Sequence, residues 1–147
     1  MSGFFMSKIL IKLKNKLHFF KSAHVVLIRD GHILILRRSS TDEWMPNHYG
    51  LPGGKIESGE NILDALSREC KEETSLHVSP SDLIFLPKVS KNKQHAFYYC
   101  TKFIGEPKLD FEHDDFKWIK PKDLSKYKVV PDLPTIISAA LENLDEI

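Results

Sequence analysis

Glu69, Glu72 and Glu73 fall within five positions of one another, in the stretch ECKEET. Residues three and four apart are neighbours on a helix, and like charges placed there repel. Acid near a helix C-terminus also opposes the macrodipole. The ordinary reading of such a run is a solvated face, with the acids opposite the apolar stripe. The wheel gives a different answer: with about 100° per residue and Glu69 at zero, Glu73 falls near about 40° and Glu72 near about −60°. On the same wheel Ile62 falls at about 20°, Ala65 at about −40° and Leu66 at about 60°. The sequence thus predicts that the three carboxylates continue the buried stripe. Carboxylates turned inward need a compensating cation. Arg68 offers one positive charge against three negative ones, so a hard divalent cation bound through oxygen is expected. Mg²⁺ takes a few carboxylates, with waters and substrate phosphates completing its shell.

The stretch before the helix, LPGGKIESGE, supplies Gly53 and Gly54, where backbone can approach an ion or phosphate closely. Glu57 and Glu60 add acid there, and Glu60 is placed to pair with Arg68 and tie loop to helix.

Several elements must hold these groups. Two β-rich runs, about 22–29 and 32–38, flank Asp30-Gly31, a dipeptide that favours the primed hairpin turns. Residues 40–60 read as loop. A helix begins after Asn61, a good N-cap, with Asp64 in a capping-box position. LIFLPKVS (83–90) and QHAFYYCTKF (94–103) read as strands joined by a lysine-rich turn, FKWI (116–119) as a short strand, and 132–147 as a C-terminal helix with Pro134 in its first turn. Hairpins mixed with helices predict an α/β fold, helices packed on a mixed sheet, in one domain.

The 147 residues suit one domain with a real core. The net charge of +1 makes no general case for nucleic acid, and duplex DNA binding is not expected. Cys70 and Cys100 form no CxxC pattern and read as free thiols in a reducing, cytosolic setting. No apolar run reaches the length of a membrane span. Residues 1–21 form a basic N-terminal extension with five lysines and no acid, and Leu10, Leu13, Leu17 and Phe20 mark a helical seam. The reading adopted is an extra element packed on the domain of residues 22–147. The sharper alternative is an interfacial helix for acidic lipid or an RNA backbone.

Gly54 to Leu76, GKIESGENILDALSRECKEETSL, resembles the Nudix box. That pattern runs Gly, five residues, Glu, seven residues, Arg-Glu, an apolar residue, one residue, Glu-Glu, one residue, Gly and an apolar residue. Gly54, Glu60, Arg68, Glu69, Cys70, Glu72, Glu73 and Leu76 match, and Ser75 stands where the family has its late glycine. The arginines ending the second strand, the Pro-Gly-Gly entry and FEHDDFKWI extend the resemblance to the family's MutT-like branch. The resemblance implies a Nudix-type α/β/α sandwich around a mixed sheet. It also implies hydrolysis of a nucleoside diphosphate linked to some group X, by water at phosphorus, with Mg²⁺ or Mn²⁺.

By the same resemblance Glu69, Glu72 and Glu73 are the metal ligands, with the carbonyl of Gly53 as a further one. Gly54, Glu60 and Arg68 are structural. Glu72 and Glu112 are alternative general bases. Of Arg37 and Arg38, Arg38 is favoured for phosphate. Trp44, His48, Tyr49 and Phe97 are candidates to stack on a base, each weighed against ordinary packing. Cys70 reads as packing, and His24, His95 and His113, which lack ligand spacing with one another, receive no role. A nucleoside triphosphate is the favoured substrate. ADP-ribose or a dinucleoside polyphosphate is the alternative. A non-catalytic nucleotide- or RNA-binding module is the other class, disfavoured because a pure binder has no use for a repelling carboxylate cluster. Oligomeric state is left open by the sequence.

Overall fold

The computed structural model describes residues 20–90 and 94–145. The seam of the N-terminal extension up to Leu17, the lysine-rich turn at 91–93 and the last two residues lie outside them.

β1 (Ser22–Arg29) and β2 (His32–Arg38) form the expected hairpin. Asp30 and Gly31 both sit at positive φ, 52° and 72°, as a primed turn requires. The remaining strands are β3 (Tyr49–Gly50), β4 (Gly53–Lys55), β5 (Ile84–Phe85), β6 (His95–Cys100) and β7 (His113–Ile119). The helices are α1 (Ile62–Thr74) and α2 (Leu133–Asp145). The seven-stranded sheet runs β3-β2-β1-β6-β5, with β4 added on β1 and β7 on β2. It is mixed: β1 and β6 run parallel and the other pairs antiparallel.

The central strands are apolar at almost every position because both faces are covered. Ala23, Val25, Leu27, Leu34 and Leu36 pack under α1 with Ile62, Leu66 and Cys70. The alternate residues Val26, Ile28, Ile33 and Ile35 pack under α2 with Leu133, Ile136, Ile137 and Ala140. This is an α/β/α sandwich. Truncating Leu66, which is fully buried, to alanine costs on the order of 3 kcal/mol.

Asn61 caps α1, its side chain accepting the Asp64 amide at 2.9 Å. At the other end Ser75 takes the left-handed conformation, φ 63°, and its amide donates to the Lys71 carbonyl at 2.9 Å. Serine therefore does here what glycine does more cheaply.

Two expectations are corrected. The 40–60 loop contains β3 and β4, whose few residues gain strand geometry only by pairing with β2 and β1. The strand read over 83–90 is reduced to Ile84–Phe85, followed by a 3-10 turn at Pro87–Val89. Pro87 has no amide to donate to a ladder.

Candidate active site

α1 presents the three glutamates unequally. Its buried residues are Ile62, Ala65, Leu66, Cys70, Glu73 and Thr74, and they centre at about 50° on the wheel used above. Glu73 lies at the centre and is 4% exposed. Glu69 is half-buried. Glu72 lies over about 100° from the centre, and its side chain is 56% exposed. The expectation that all three continue the buried stripe is thus corrected for Glu72: the true stripe is rotated toward Cys70 and Thr74.

Arg68 gathers the acids that it can reach. Its Nε and Nη2 donate to the two oxygens of Glu60 at 2.8 and 2.9 Å, a planar fork on a carboxylate. Nη1 donates to Glu69 and to Glu72, each at 3.1 Å. Glu60 also accepts the Glu57 amide at 3.0 Å. Its carboxyl is held below the usual range, chiefly by the Arg68 hydrogen bond. Glu69 rests on Gly54, where an added Cβ would lie 2.7 Å from the carboxylate carbon. Burial raises the Glu69 pKa against the pull of Arg68.

Arg68 has no hydrogen bond or ion pair to Glu73. Glu73 Oε1 accepts the Gly53 amide at 2.7 Å, and Oε2 lies 3.8 Å from His113 Nε2. Burial pushes its pKa up to about 9, with Glu69, Asp110 and Glu112 adding to the rise and the Gly53 amide opposing it. Among the described residues no lysine or arginine forms an ion pair with it.

His113 is 8% exposed, at the start of β7. Its Nδ1 donates to Asp110 Oδ1 at 3.1 Å, since an ionised carboxylate only accepts. In the neutral ring this leaves the Nε2 lone pair for another partner, the arrangement usual for a metal-binding histidine. One atom each from Glu73, Asp110 and His113 lies within 4.8 Å of the others. These oxygens and this nitrogen fit a divalent cation. The sequence reading missed Asp110 and His113. Their only local mark is an Asp-x-x-His spacing, and what gives it meaning is the approach of the α1 end: the Asp110 amide donates to the Glu73 carbonyl at 3.3 Å.

A cavity of about 720 Å³ opens beside this cluster. His113 forms part of its wall, with His24 and Phe97 on the sheet, Arg38 and Trp44 at one side, and Leu133 and Ile136 of α2. The Arg38 guanidinium lies 4.9 Å from the Trp44 ring centre, donates to the Trp44 carbonyl at 2.8 Å and pairs with Asp42 at 2.7 Å. Strand period sends one of the two arginines toward the site and the other away, and Arg38 is the one in the cavity wall. Arg37 pairs with Asp114 at 2.6 Å and is not part of the cavity wall.

Phe97 stacks on His24, ring centres 5.9 Å apart. Tyr49 is not brought to the cavity. It is buried edge-to-face on Tyr127, with its hydroxyl on Asp115, and burial, helped by that bond, raises its pKa to about 12. His48 Nδ1 bonds the Pro46 carbonyl at 2.9 Å and likewise stays out of the wall. Glu112 is exposed, next to His113, and near enough to raise the pKa values of Glu69 and Glu73. Cys70 is buried and its thiol pKa is raised by burial, as packing requires.

The family profile of the NUDIX domain matches residues 18–140. The nucleoside triphosphatase NudI of Escherichia coli is 30% identical over 112 residues, 67% of this chain and 79% of that protein. A MutT NUDIX hydrolase from Burkholderia pseudomallei has the same fold, with a TM-score of 0.64 at 24% identity over 80% of this chain and 92% of its own. The NUDIX domain of Shewanella oneidensis NrtR, solved with ADP ribose, aligns with a TM-score of 0.68 at 20% identity over 85% of this chain and 88% of its own. The chain belongs to the Nudix hydrolase family, enzymes that act on phosphoanhydride bonds. Among the described residues no helix is long and apolar enough to cross a membrane.

Proposed function

We propose that the protein hydrolyses a phosphoanhydride bond of a nucleoside triphosphate with the aid of Mg²⁺ or Mn²⁺. The observation that carries this reading is the double position of His113, which belongs both to the Glu73–Asp110 group and to the wall of the 720 Å³ cavity. An anionic cation site and a nucleoside-sized, largely apolar pocket therefore share one residue. Glu73 and Glu69 would hold the cation, with Glu72, Asp110, His113 and the Gly53 carbonyl as further donors. A divalent cation held there would supply positive charge that neutralises phosphoryl oxygens. Arg38 binds phosphate from the cavity side. Trp44 and Phe97 offer the base a stacking surface. Glu72 and Glu112, the exposed carboxylates of the site, are the candidates to take the proton of the attacking water. Residues 22–147 make up this catalytic unit.

The test is a panel of nucleoside triphosphates, ADP-ribose and a dinucleoside polyphosphate, with Mg²⁺ or Mn²⁺ in ¹⁸O-labelled water and chromatographic separation of products. Cation-dependent turnover of triphosphates above the other two classes is expected. Preferred turnover of ADP-ribose or the dinucleoside, or turnover insensitive to chelator, overturns the reading.

A further inference from the structure

His24 lies in the cavity wall, and its surroundings fix how it meets a ligand. Its Nδ1 is closed off from solvent and has no hydrogen-bond partner among the described residues. Its Cδ2 packs on Gly53, where an added Cβ would lie 2.8 Å from that carbon. One face of the ring is stacked on Phe97. The edge left for the cavity is the one carrying Nε2.

In a neutral imidazole one nitrogen carries the proton and the other a bare lone pair. An orphaned buried N–H is rarer in folded proteins than an under-satisfied acceptor. The closed-off Nδ1 therefore keeps the lone pair, and the proton sits on Nε2. Of the cavity's other basic side chains, Arg38 pairs with Asp42 and Lys88 with Glu142, His95 meets the Ser22 hydroxyl at 2.6 Å, and His113 faces Asp110 and Glu73. His24 thus offers a donor of fixed sense beside the Phe97 ring.

Resting on the reading of this cavity as the nucleobase site, we propose that His24 is a specificity-determining residue that donates from Nε2 to a keto oxygen of the base. The discriminating acceptor is O4 of uracil and thymine and O6 of guanine, where cytosine and adenine carry an amino donor; the O2 that cytosine shares with uracil does not discriminate. The amino bases would bring a donor against a donor.

Steady-state kinetics on UTP against CTP, and GTP against ATP, is expected to show each keto nucleotide ahead by about tenfold in kcat/KM, expressed mainly in KM. In His24→Phe both ratios should fall to near one, and His24→Gln, whose amide can donate or accept, should fall between. An unchanged ratio in His24→Phe, or a wild-type preference for the amino bases, overturns the proposal. Long-range ¹H–¹⁵N NMR on histidine-labelled protein reads the tautomer directly and does not depend on the variant folding. A protonated Nε2 is expected, its shift moving when a nonhydrolysable imido analogue of UTP binds; a protonated Nδ1 overturns the proposal. Inorganic tripolyphosphate separates the two readings. If the wild type cleaves it as efficiently as any nucleotide, the base-site assignment of the cavity fails and the keto selection built on it falls too. If nucleotides are favoured but keto and amino bases are treated alike, only the role of His24 fails.

Discussion

Glu73 Oε1 accepts the amide proton of Gly53 at 2.7 Å, joining the last turn of α1 to β4. Gly53 has φ 147°, and a Cβ there would lie 2.2 Å from the Ala23 carbonyl oxygen and 2.6 Å from the His24 Cα. Backbone therefore comes to the buried carboxylate where Gly53 of β4 presses on β1. Gly53→Ala must push these strands apart, and neither contact is the yielding end of a side chain. Its expected cost is about 3 kcal/mol in urea denaturation, within the range for strained backbone and overpacking, with weaker Mn²⁺ binding by calorimetry. Wild-type stability together with wild-type cation affinity would refute this account of β4.

Stability should depend on pH through Glu73. Its folded pKa is raised to about 9 from an ordinary 4.5, and Glu69 shifts the same way. Between those values the folded chain holds a proton that the unfolded chain has released, so stability falls as pH rises. His24, which burial lowers to about 4 from 6.5, acts in the opposite sense, but its window closes at 6.5. In chelator, the melting temperature should fall between about pH 7 and 9 in the wild type, and less steeply in Glu73→Gln. Mg²⁺ should raise it more at the alkaline end, where the carboxylate is already free of its proton. A wild-type slope retained in Glu73→Gln would assign the effect elsewhere.

Local chemistry made much of this legible. The Asp30-Gly31 turn and the Asn61 cap announced β1, β2 and α1 because each acts within a few residues. Arg68 with Glu60 was readable for the same reason, eight residues apart with opposite charge, one on the helix and the other just before its cap. Glu72 was misplaced because the wheel used three apolar residues to define a stripe that Cys70 and Thr74 also shape. β3 and β4 have no pattern of their own and exist through pairing. The meeting of Glu73 with Asp110 and His113 joins the end of a helix to the start of a strand far along the chain. No spacing rule encodes such a contact.

Ser75 offers a test of the one departure from the box. At φ 63° it carries a left-handed strain that glycine lacks, offset in part by its hydroxyl donating to the Lys108 carbonyl at 3.1 Å. Ser75→Gly should stabilise the fold by about 0.5 kcal/mol, the relief of strain less a weak exposed hydrogen bond. Chemical denaturation of the pair measures it. A loss of stability would show that the Lys108 bond outweighs the backbone term.

Glu72 and Glu112 can be separated by kinetics, because both are exposed and neither is needed for packing. Glu72 is held 3.1 Å from Arg68 Nη1, a contact that limits its swing. Glu112 has its backbone carbonyl fixed by the Ser39 amide at 2.9 Å, and as an exposed residue its side chain can turn toward a bound triphosphate. Replacing the base by glutamine should lower kcat by about 10²-fold or more and remove the acid limb of the pH–rate profile, with melting temperature unchanged. Replacing a cation ligand should instead raise the Mn²⁺ concentration needed for half-maximal rate and leave the limb in place at saturation. Glu72→Gln is expected to show the first pattern with some of the second, since it stands one residue from Glu73 and shares Arg68 with Glu69. If Glu72→Gln retains a wild-type rate while Glu112→Gln loses the limb, the base lies on the loop before β7 and Glu72 serves only to order Arg68.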